Sequence, residues 1–186
     1  PDTLIINNIE YDHADIFHDL AAIRVEFHNL VRTLPETAKI IYPLGDTEVE
    51  TVLKMGCWTP LETFLGAGSD WSITDASCDY RDFSIINSGN EVGKVSWPVI
   101  GEHNAFNALA AIIAAKNIGV SAEKACAALS EFKSVKRRLE CIYDSNDIYI
   151  YDDFAHHPTE IRKSLQAIKS YAENGRIIAI MEPRSN

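Results

Sequence analysis

Two aspartates and two histidines lie within six positions in the segment YDDFAHHPTE, residues 151–160. They follow an alternation of apolar and polar residues that predicts a strand. Such side chains can ligate a metal, act as a general base, cap a helix or hold ribose hydroxyls at a strand end. Successive residues of extended chain point in opposite directions, so Asp152 and Asp153 serve different partners, as do His156 and His157. A metal-dependent hydrolase needs all four side chains to converge, which this alternation opposes.

A second polar cluster, NNIEYDHAD, follows the apolar segment TLIINN near the start of the sequence. Glu10, Asp12 and His13 offer oxygen and nitrogen atoms to a divalent cation, and Mg²⁺ bound together with phosphates takes few protein ligands. The alternative is a polar turn in which Asp15 caps the following helix. The sequence leaves both interpretations open at this point.

A third cluster, GEHNAFN, lies at the start of a predicted helix. Asn104 and Asn107 are three residues apart and therefore share a helix face, next to His103. A carboxamide donates and accepts hydrogen bonds at once, which matches the amino and ring-nitrogen edge of adenine. The alternative is that Asn104 caps the helix.

The segment KSVKRRLE concentrates positive charge in an acidic chain, with Lys133, Lys136, Arg137 and Arg138 close together. An arginine can bind phosphate through two parallel hydrogen bonds, although a solvated linker would have the same composition. GNEVGKV, residues 89–95, is not a phosphate loop, because that motif needs four residues between its glycines and a Ser or Thr after its lysine.

The elements that must position these clusters alternate between strand and helix at the start of the chain. TLIINN predicts a buried strand, and apolar residues recur every three or four positions from Asp15 to Leu34, which predicts an amphipathic helix that Pro35 ends. AKIIYPL predicts the next strand. TEVETVLKMG predicts a helix with Thr47 as N-cap and Gly56 after its end. Apolar strands joined by a helix favour a right-handed parallel crossover.

The pattern changes over residues 70–99, where DWSIT, RDFSIIN and KVSWPV, with SGNE as a turn, predict antiparallel strands added to the main sheet. A helix over EHNAFNALAAIIAAKNIG follows and ends at Gly119. Ser121 is the predicted cap of a second helix. These elements complete the first of two predicted domains, residues 1–135.

The second predicted domain, residues 136–186, begins within the charged segment KSVKRR. Its predicted elements are the strands LECIYD and IYIYDD, the helix PTEIRKSLQAIKSYAENG starting at Pro158, and the strand RIIAIM. The predicted fold class is therefore α/β, with a mostly parallel sheet, an antiparallel addition and a second α/β part.

Composition narrows the function classes. The net charge of −10 argues against a general nucleic-acid binder, which needs a basic face. The longest apolar run, residues 108–115, is too short to span a bilayer. Four scattered cysteines without a paired spacing indicate buried free thiols in a reducing cytoplasm. Both ends of the sequence fall next to predicted strands, so we expect a fragment of a longer protein.

The three polar clusters, in this order, resemble the motifs of the Mur ligase family, the ATP-dependent ligases that build the peptide of peptidoglycan. NIEYDHAD is similar to the family's N-x-E-x-D-H-x-D loop, GEHNAFNALAA to its adenine-binding helix start, and DDFAHHPTE to the nucleotide-facing loop of its C-terminal domain. The resemblance runs from residue 1 to residue 186. It implies that residues 1–135 belong to the central ATPase-type sheet domain and residues 136–186 to a Rossmann-like C-terminal domain.

Within the family, EYDHADIF, VKRRLE, DDFAHHPTEI and EPRSN are most similar to the member that joins the tripeptide L-Ala-γ-D-Glu-meso-diaminopimelate to UDP-N-acetylmuramate in peptidoglycan recycling. The resemblance implies a cytoplasmic enzyme that uses ATP and Mg²⁺ and forms an acyl phosphate. The member that adds L-alanine is the alternative, and a non-catalytic nucleotide-binding module is an alternative of another class. Since the family's phosphate loop is not in this sequence, we expect residues 1–186 alone to show no ligase turnover.

The resemblance also implies roles for the residues of the first and third clusters. His13 and Glu10 are the residues implied for the metal site. His13 would ligate Mg²⁺ near the acyl phosphate, and Asp12 and Glu10 would support the loop. The residues implied to bind adenine are His103, Asn104 and Asn107.

The roles implied for the second domain concern the nucleotide and the incoming peptide. Arg138 would reach the ATP phosphates, and Asp153 would contact the ribose or the phosphates. His156 would line the cleft, and Arg184 would contact the carboxylates of the tripeptide.

Overall fold

The structure, a computed structural model, describes residues 1–172 and 175–182. It is an α/β fold with a six-stranded sheet and a separate two-stranded sheet. The elements of the first part are β1 (Thr3–Ile5), α1 (Leu20–Val31), β2 (Lys39–Pro43), α2 (Thr47–Lys54), β3 (Leu61–Phe64), β4 (Trp71–Thr74), β5 (Asp82–Asn87), β6 (Asn90–Ser96), α3 (Glu102–Asn117) and α4 (Ala122–Leu129). The elements of the second part are β7 (Glu140–Ser145), β8 (Ile148–Asp152) and α5 (Pro158–Ala172).

Three parallel pairings join β1 to β2, β2 to β3 and β3 to β4, and α1 and α2 form the first two crossovers. This confirms the predicted parallel arrangement. β3 has no counterpart among the predicted strands, because its short sequence LETF carries Glu62 near its centre. Glu62 is nevertheless buried. Its carboxylate accepts a hydrogen bond from the Trp71 indole at 2.7 Å and lies 3.0 Å from the Lys39 ammonium, and these contacts replace its lost hydration.

β4, β5 and β6 pair antiparallel, which confirms the predicted addition to the main sheet. Ser88 and Gly89 form the two-residue loop between β5 and β6, and their φ angles are 49° and 81°. Two consecutive positive φ angles are typical of the type I′ turn, whose twist matches that of a hairpin. Glycine at the second position accepts this conformation without strain.

The large sheet is covered on both faces, and neighbouring residues of β2 contribute to different cores because side chains alternate along a strand. Ile40 belongs to the core beneath α1 and α2, whereas Ile41 belongs to the core beneath α3 and α4. The helix residues of the first core include Ile23, Val31, Val49, Val52 and Leu53. Those of the second core include Ala105, Leu109, Ile112, Ile113 and Cys126. Burial on both faces explains why β2, with the sequence KIIYP, is almost continuously apolar.

The first helix is shorter than predicted, since α1 begins at Leu20 rather than at Asp15. Asp19 is its N-cap and accepts a hydrogen bond from the Ala22 amide at 2.8 Å, so the alternative that Asp15 is the cap is wrong. Ile16, which matched the apolar spacing, is 69% exposed. The helix starts where a carboxylate accepts a hydrogen bond from a first-turn amide. The apolar spacing also extends back to Ile16, but that residue lies in the loop before the helix.

The N-cap residue was predicted correctly for α4 and wrongly for α2. Ser121 caps α4 as predicted, accepting a hydrogen bond from the Lys124 amide at 3.3 Å. In α2 the cap is Asp46 rather than Thr47, because the Asp46 carboxylate accepts two first-turn amides, both at 3.0 Å. Thr47 is instead the first helical residue.

The second part is an antiparallel hairpin of β7 and β8 followed by α5. The predicted start of α5 at Pro158 is confirmed. The predicted strand RIIAIM is wrong, because residues 175–182 are not in a strand and Ile180 is 96% exposed. A strand requires a hydrogen-bonding neighbour, and among the described residues β7 and β8 pair only with each other.

All four cysteines are free thiols, as predicted, but Cys126 alone is fully buried. Burial raises the pKa of the Cys126 thiol to about 11. Cys78 and Cys141 are exposed, so the expectation of buried thiols is wrong for them, since cysteine spacing carries no information on burial. Within the ranges that the structure describes, no helix is long and apolar enough to cross a membrane.

Candidate functional site

The loop after β1 and the loop before α5 are in direct contact, although about 150 residues separate them. The Thr159 hydroxyl donates a hydrogen bond to Glu10 Oε2 at 2.6 Å. The His157 ring lies between the same two loops, with Nε2 at 3.2 Å from the Tyr11 carbonyl oxygen and Nδ1 at 3.4 Å from Glu10 Oε2. The structure therefore brings together two of the three polar clusters that the sequence singles out.

Asp12 and His13 occupy the exposed tip of the first loop. The Asp12 carboxylate accepts the His13 amide at 2.7 Å, and this hydrogen bond holds the pKa of Asp12 below its ordinary value. His13 has a φ of 56°, and its carbonyl oxygen accepts the amides of Ile16 and Phe17. Its ring is 65% exposed, and its Nε2 lies 3.8 Å from Asp12 Oδ2. The turn thus presents one ring nitrogen and one carboxylate oxygen outward.

A cleft of about 200 Å³ lies between this loop and α5, with Asn8, Glu10, Asp12, His157 and Glu160 in its wall. Within the described ranges no three His, Cys, Asp or Glu side chains are grouped around one point as a metal cage would require. The donor set fits a hard cation that takes one or two protein ligands and completes its shell with water and phosphate oxygens. Both oxygen atoms of Glu10 already accept hydrogen bonds, from Asn8 at 3.1 Å and from Thr159.

The asparagines of the third cluster are each tied to a neighbouring segment. Asn107 accepts a hydrogen bond from the Asn7 side chain at 3.0 Å, which links the start of α3 to the end of β1. The Asn104 amide group donates to the Ile100 carbonyl oxygen at 2.8 Å. The N-cap of α3 is Gly101, which has no side chain to cap with, so the alternative that Asn104 is the N-cap is wrong.

α5 of the second part packs against the start of α3. A Cβ atom at Gly101 would lie 2.6 Å from the Cβ of Ala167, which is 3% exposed. His103 is partly buried beneath α5, and this burial lowers the pKa of its ring, with the nearby Lys163 ammonium adding to the effect. A neutral His103 ring can donate and accept hydrogen bonds at the edge of the contact between the two parts.

The neighbouring aspartates of YDDFAHHP have different partners, as predicted. Asp152 lies 3.4 Å from the Arg137 guanidinium. Asp153 accepts the amides of Leu139 at 2.8 Å and Ala155 at 2.6 Å, so it joins the segment before β7 to the loop after β8. Its carboxylate therefore holds the backbone of the loop in this arrangement.

The neighbouring histidines also separate. His156 Nδ1 lies 3.0 Å from the Phe154 carbonyl oxygen and 3.8 Å from Glu160, whereas His157 faces the loop after β1. Arg138 lies 3.9 Å from Glu160 and 5.8 Å from the Phe154 ring centre, on the same side as His156. The predicted site residue Arg184 lies outside the described residues.

A second cleft, of about 380 Å³, lies between the antiparallel strands and the β7–β8 hairpin. Arg81 and Arg138 line it, and the Arg81 guanidinium lies 5.6 Å from the Tyr171 ring centre. Tyr151 also lines it, and burial raises the pKa of its phenol to about 12. Sequence reasoning missed Arg81, Asn7 and Thr159, because no local pattern connects residues that meet only across the fold.

Comparison with known proteins identifies the family. Residues 1–115 match the family described as Mur ligase middle domain, and residues 137–186 match the Mur ligase glutamate ligase domain. The chain belongs to the Mur ligase family. The resemblance read from the three polar clusters is thereby confirmed, together with the α/β fold class that it implied.

Two curated Mur ligases are similar to the chain over all or nearly all of its length. The UDP-N-acetylmuramate–L-alanyl-γ-D-glutamyl-meso-2,6-diaminoheptandioate ligase of Escherichia coli is 44% identical over 187 aligned residues, which cover 100% of this chain and 41% of the relative. The UDP-N-acetylmuramate–L-alanine ligase of Caldicellulosiruptor bescii is 33% identical over 97% of this chain and 40% of the relative. The chain thus spans about two fifths of the length of these relatives.

Solved structures of Mur ligases agree with the fold. A murein peptide ligase from Psychrobacter arcticus superposes with a TM-score of 0.71 at 45% identity, covering 100% of this chain and 38% of that chain. A UDP-N-acetylmuramate–alanine ligase from Thermotoga maritima gives a TM-score of 0.75 at 27% identity, covering 94% of this chain and 39% of that chain. The two structures therefore match the fold of this chain about equally well, whereas their sequence identities to it differ, at 45% and 27%.

Proposed function

We propose that the protein containing this chain is an ATP-dependent ligase that joins L-Ala-γ-D-Glu-meso-diaminopimelate to UDP-N-acetylmuramate in the cytoplasm, as a step of peptidoglycan recycling. The observation that carries the proposal is the 44% identity over the whole chain to the E. coli and Haemophilus influenzae ligases named for this tripeptide. Residues 1–135 would then belong to the central ATP-binding domain and residues 136–186 to the C-terminal domain. The activity would support cell wall synthesis and, through it, cell shape and division.

The proposed reaction is electrostatically difficult, since ATP phosphates and a muramoyl carboxylate must meet before an acyl phosphate can form. The side chains of His13 and Asp12 are 65% and 41% exposed, and Asp12 lines the cleft between the first loop and α5. They are the residues that would hold Mg²⁺, with Glu10 fixing the loop behind them. When bound, the cation supplies charge screening for the transferring phosphoryl group.

The nucleotide would bind where α5 meets the start of α3. His103, Asn104 and Asn107 offer donors and acceptors to the adenine edge there. Asn107 is held by Asn7, which keeps its carboxamide in a fixed orientation. Fixing the orientation in advance lowers the entropic cost of binding a rigid base.

The remaining proposed roles fall on the second part. Arg138 would contact the ATP phosphates by exchanging its long 3.9 Å approach to Glu160 for a phosphate oxygen. His156 lies on the same side and would line the cleft. Asp153 would contact the ribose with an oxygen lone pair that its two backbone hydrogen bonds leave available. Arg184 would contact the peptide carboxylates.

The proposal is tested by following phosphate release from ATP with the complete protein. Release should require UDP-N-acetylmuramate, the tripeptide and Mg²⁺ together, and mass spectrometry should find one new amide for each phosphate. If L-alanine replaces the tripeptide with equal efficiency, the second candidate is correct, which the 33% identity to L-alanine ligases supports. If ATP binds but no amine is ligated, the chain belongs to a nucleotide-binding module without catalysis.

A further inference from the structure

Thr159 joins the second part of the chain to the loop that carries Glu10, Asp12 and His13. Its hydroxyl donates to Glu10 Oε2 at 2.6 Å across 149 residues of sequence. A hydroxyl bound to a carboxylate at this distance is a charge-assisted hydrogen bond, which is about twice as strong as a neutral one. The Glu10 side chain is 35% exposed, so water screens the contact only in part.

The ring of His157 fixes the direction from which Thr159 approaches. Its Nδ1 accepts the Thr159 amide at 3.3 Å, and its Nε2 lies 3.2 Å from the Tyr11 carbonyl oxygen. Because Nδ1 accepts a hydrogen bond, Nε2 is the ring nitrogen that bears hydrogen in the neutral ring, and it donates a hydrogen bond to the Tyr11 carbonyl oxygen. The second part therefore holds the loop at two successive residues, by the side chain of Glu10 and by the backbone of Tyr11.

The Glu10 carboxylate has a donor on each side. Asn8, on the same loop, donates to Oε1 at 3.1 Å, and Thr159, from α5, donates to Oε2. The carboxylate is fixed in orientation only when both donors are present, and the Thr159 donor is present only when α5 lies against the first part. Asp12 and His13 follow Glu10 by two and three residues on the same exposed turn.

We propose that Thr159 is a positioning residue of the ligase site, whose hydroxyl orients Glu10 when α5 closes on the first part and so orders the turn that presents Asp12 and His13. The proposal rests on the proposed function for its kinetic consequences, but not for the contact itself. Thr159 acts through Glu10 and does not touch the reacting groups.

Hydrogen exchange tests the contact without any measurement of activity. Thr159→Val removes the hydroxyl at nearly constant volume, Thr159→Ser keeps it, and Thr51→Val is the matched control, because the Thr51 hydroxyl donates only within α2. In both residues 1–186 and the complete protein, Thr159→Val should speed exchange of the loop amides that are hydrogen-bonded within the turn, those of His13, Ile16 and Phe17. We expect about tenfold faster exchange, the lower end for a hydrogen bond to a charged group. Unchanged exchange in Thr159→Val overturns the proposal.

Steady-state kinetics of the complete ligase then test the positioning role. Thr159→Val should lower kcat about tenfold while the KM for ATP changes less than about twofold, and Thr159→Ser should retain most of the rate. In a Glu10→Ala background Thr159→Val should have no further effect, because Thr159 acts through that carboxylate. If the effects of Glu10→Ala and Thr159→Val on kcat multiply, the contact is only structural. The same conclusion follows if Thr159→Val speeds loop exchange but leaves kcat normal. A wild-type protein without ligase turnover would contradict the proposed function, and the exchange result would still decide the contact.

Discussion

Gly101→Ala tests whether α5 lies against the start of α3, the contact at which we propose that the nucleotide binds. The new Cβ would lie 2.6 Å from the Ala167 Cβ and 3.0 Å from the His103 ring. The ring can rotate away, but Ala167 is fixed on the buried face of α5. The substitution therefore forces α5 away from α3 or strains both elements.

The expected cost has two parts. Gly101 has a φ of 99°, and a side chain in this region of backbone space costs about 1–3 kcal/mol. Forcing a methyl group into a contact roughly 1 Å shorter than the carbon–carbon optimum costs about 1–3 kcal/mol more. We therefore expect Gly101→Ala to lower the free energy of unfolding by about 2–6 kcal/mol.

Gly119→Ala is the matched control, because Gly119 has a φ of 94° and a Cβ there meets no described atom within 4 Å beyond its immediate chain surroundings. Urea unfolding followed by circular dichroism should show a cost at Gly119 of about 1–3 kcal/mol, from backbone strain alone. Ala167→Gly should make Gly101→Ala less costly, since it removes the opposing methyl group. Equal costs at Gly101 and Gly119, with no coupling to Ala167, would refute the packing of α5 on α3.

Three further substitutions test the site and the sheet. If the complete protein has the proposed ligase activity, His13→Ala should lower its kcat on the order of a hundredfold. The melting temperature should stay unchanged, because the His13 ring is 65% exposed, and a lower melting temperature with normal kcat would remove His13 from the site. Asn104→Ala should raise the KM for ATP about tenfold, from the roughly 1–3 kcal/mol of a base contact, and an effect on the KM for UDP-N-acetylmuramate instead would contradict the adenine role. Hydrogen bonds from Thr63 lower the pKa of Asp70 in the folded chain. The Asp70 carboxylate therefore stabilises the fold at pH values above its unfolded pKa of about 4. This stabilisation is lost as the pH falls through the lower pKa of the folded state. The urea midpoints of wild type and Asp70→Asn should therefore differ at neutral pH and converge in acid, and a pH-independent difference would contradict this linkage.

Much of the fold follows from local pattern. Apolar strands separated by amphipathic helices predicted the parallel crossovers, and SGNE predicted the β5–β6 hairpin, because these features depend on periodicity and turn residues. β3 was missed because Glu62 interrupts the apolar pattern, and its burial depends on Trp71 and Lys39 from other strands. The start of α1 was misplaced because periodicity does not reveal which carboxylate caps a helix.

The sequence predicted a set of residues for the candidate site, but not which of them contact each other across the fold. Spacing showed that Asp152 and Asp153, and likewise His156 and His157, must face different partners, and the structure agrees. No sequence pattern indicates that the Thr159 hydroxyl reaches Glu10, because that contact depends on how the second part lies on the first. The roles of the site residues remain predictions that mutagenesis must test.

The amine that the complete protein ligates distinguishes the two candidate functions, and a direct competition between the two candidate amines identifies it. ATP, Mg²⁺ and UDP-N-acetylmuramate are supplied with equimolar L-alanine and L-Ala-γ-D-Glu-meso-diaminopimelate, and mass spectrometry measures the ratio of the two amide products. That ratio reports the ratio of the two kcat/KM values. We predict a large excess of the UDP-N-acetylmuramoyl tripeptide product. A product consisting mainly of UDP-N-acetylmuramoyl-L-alanine would contradict the proposed function.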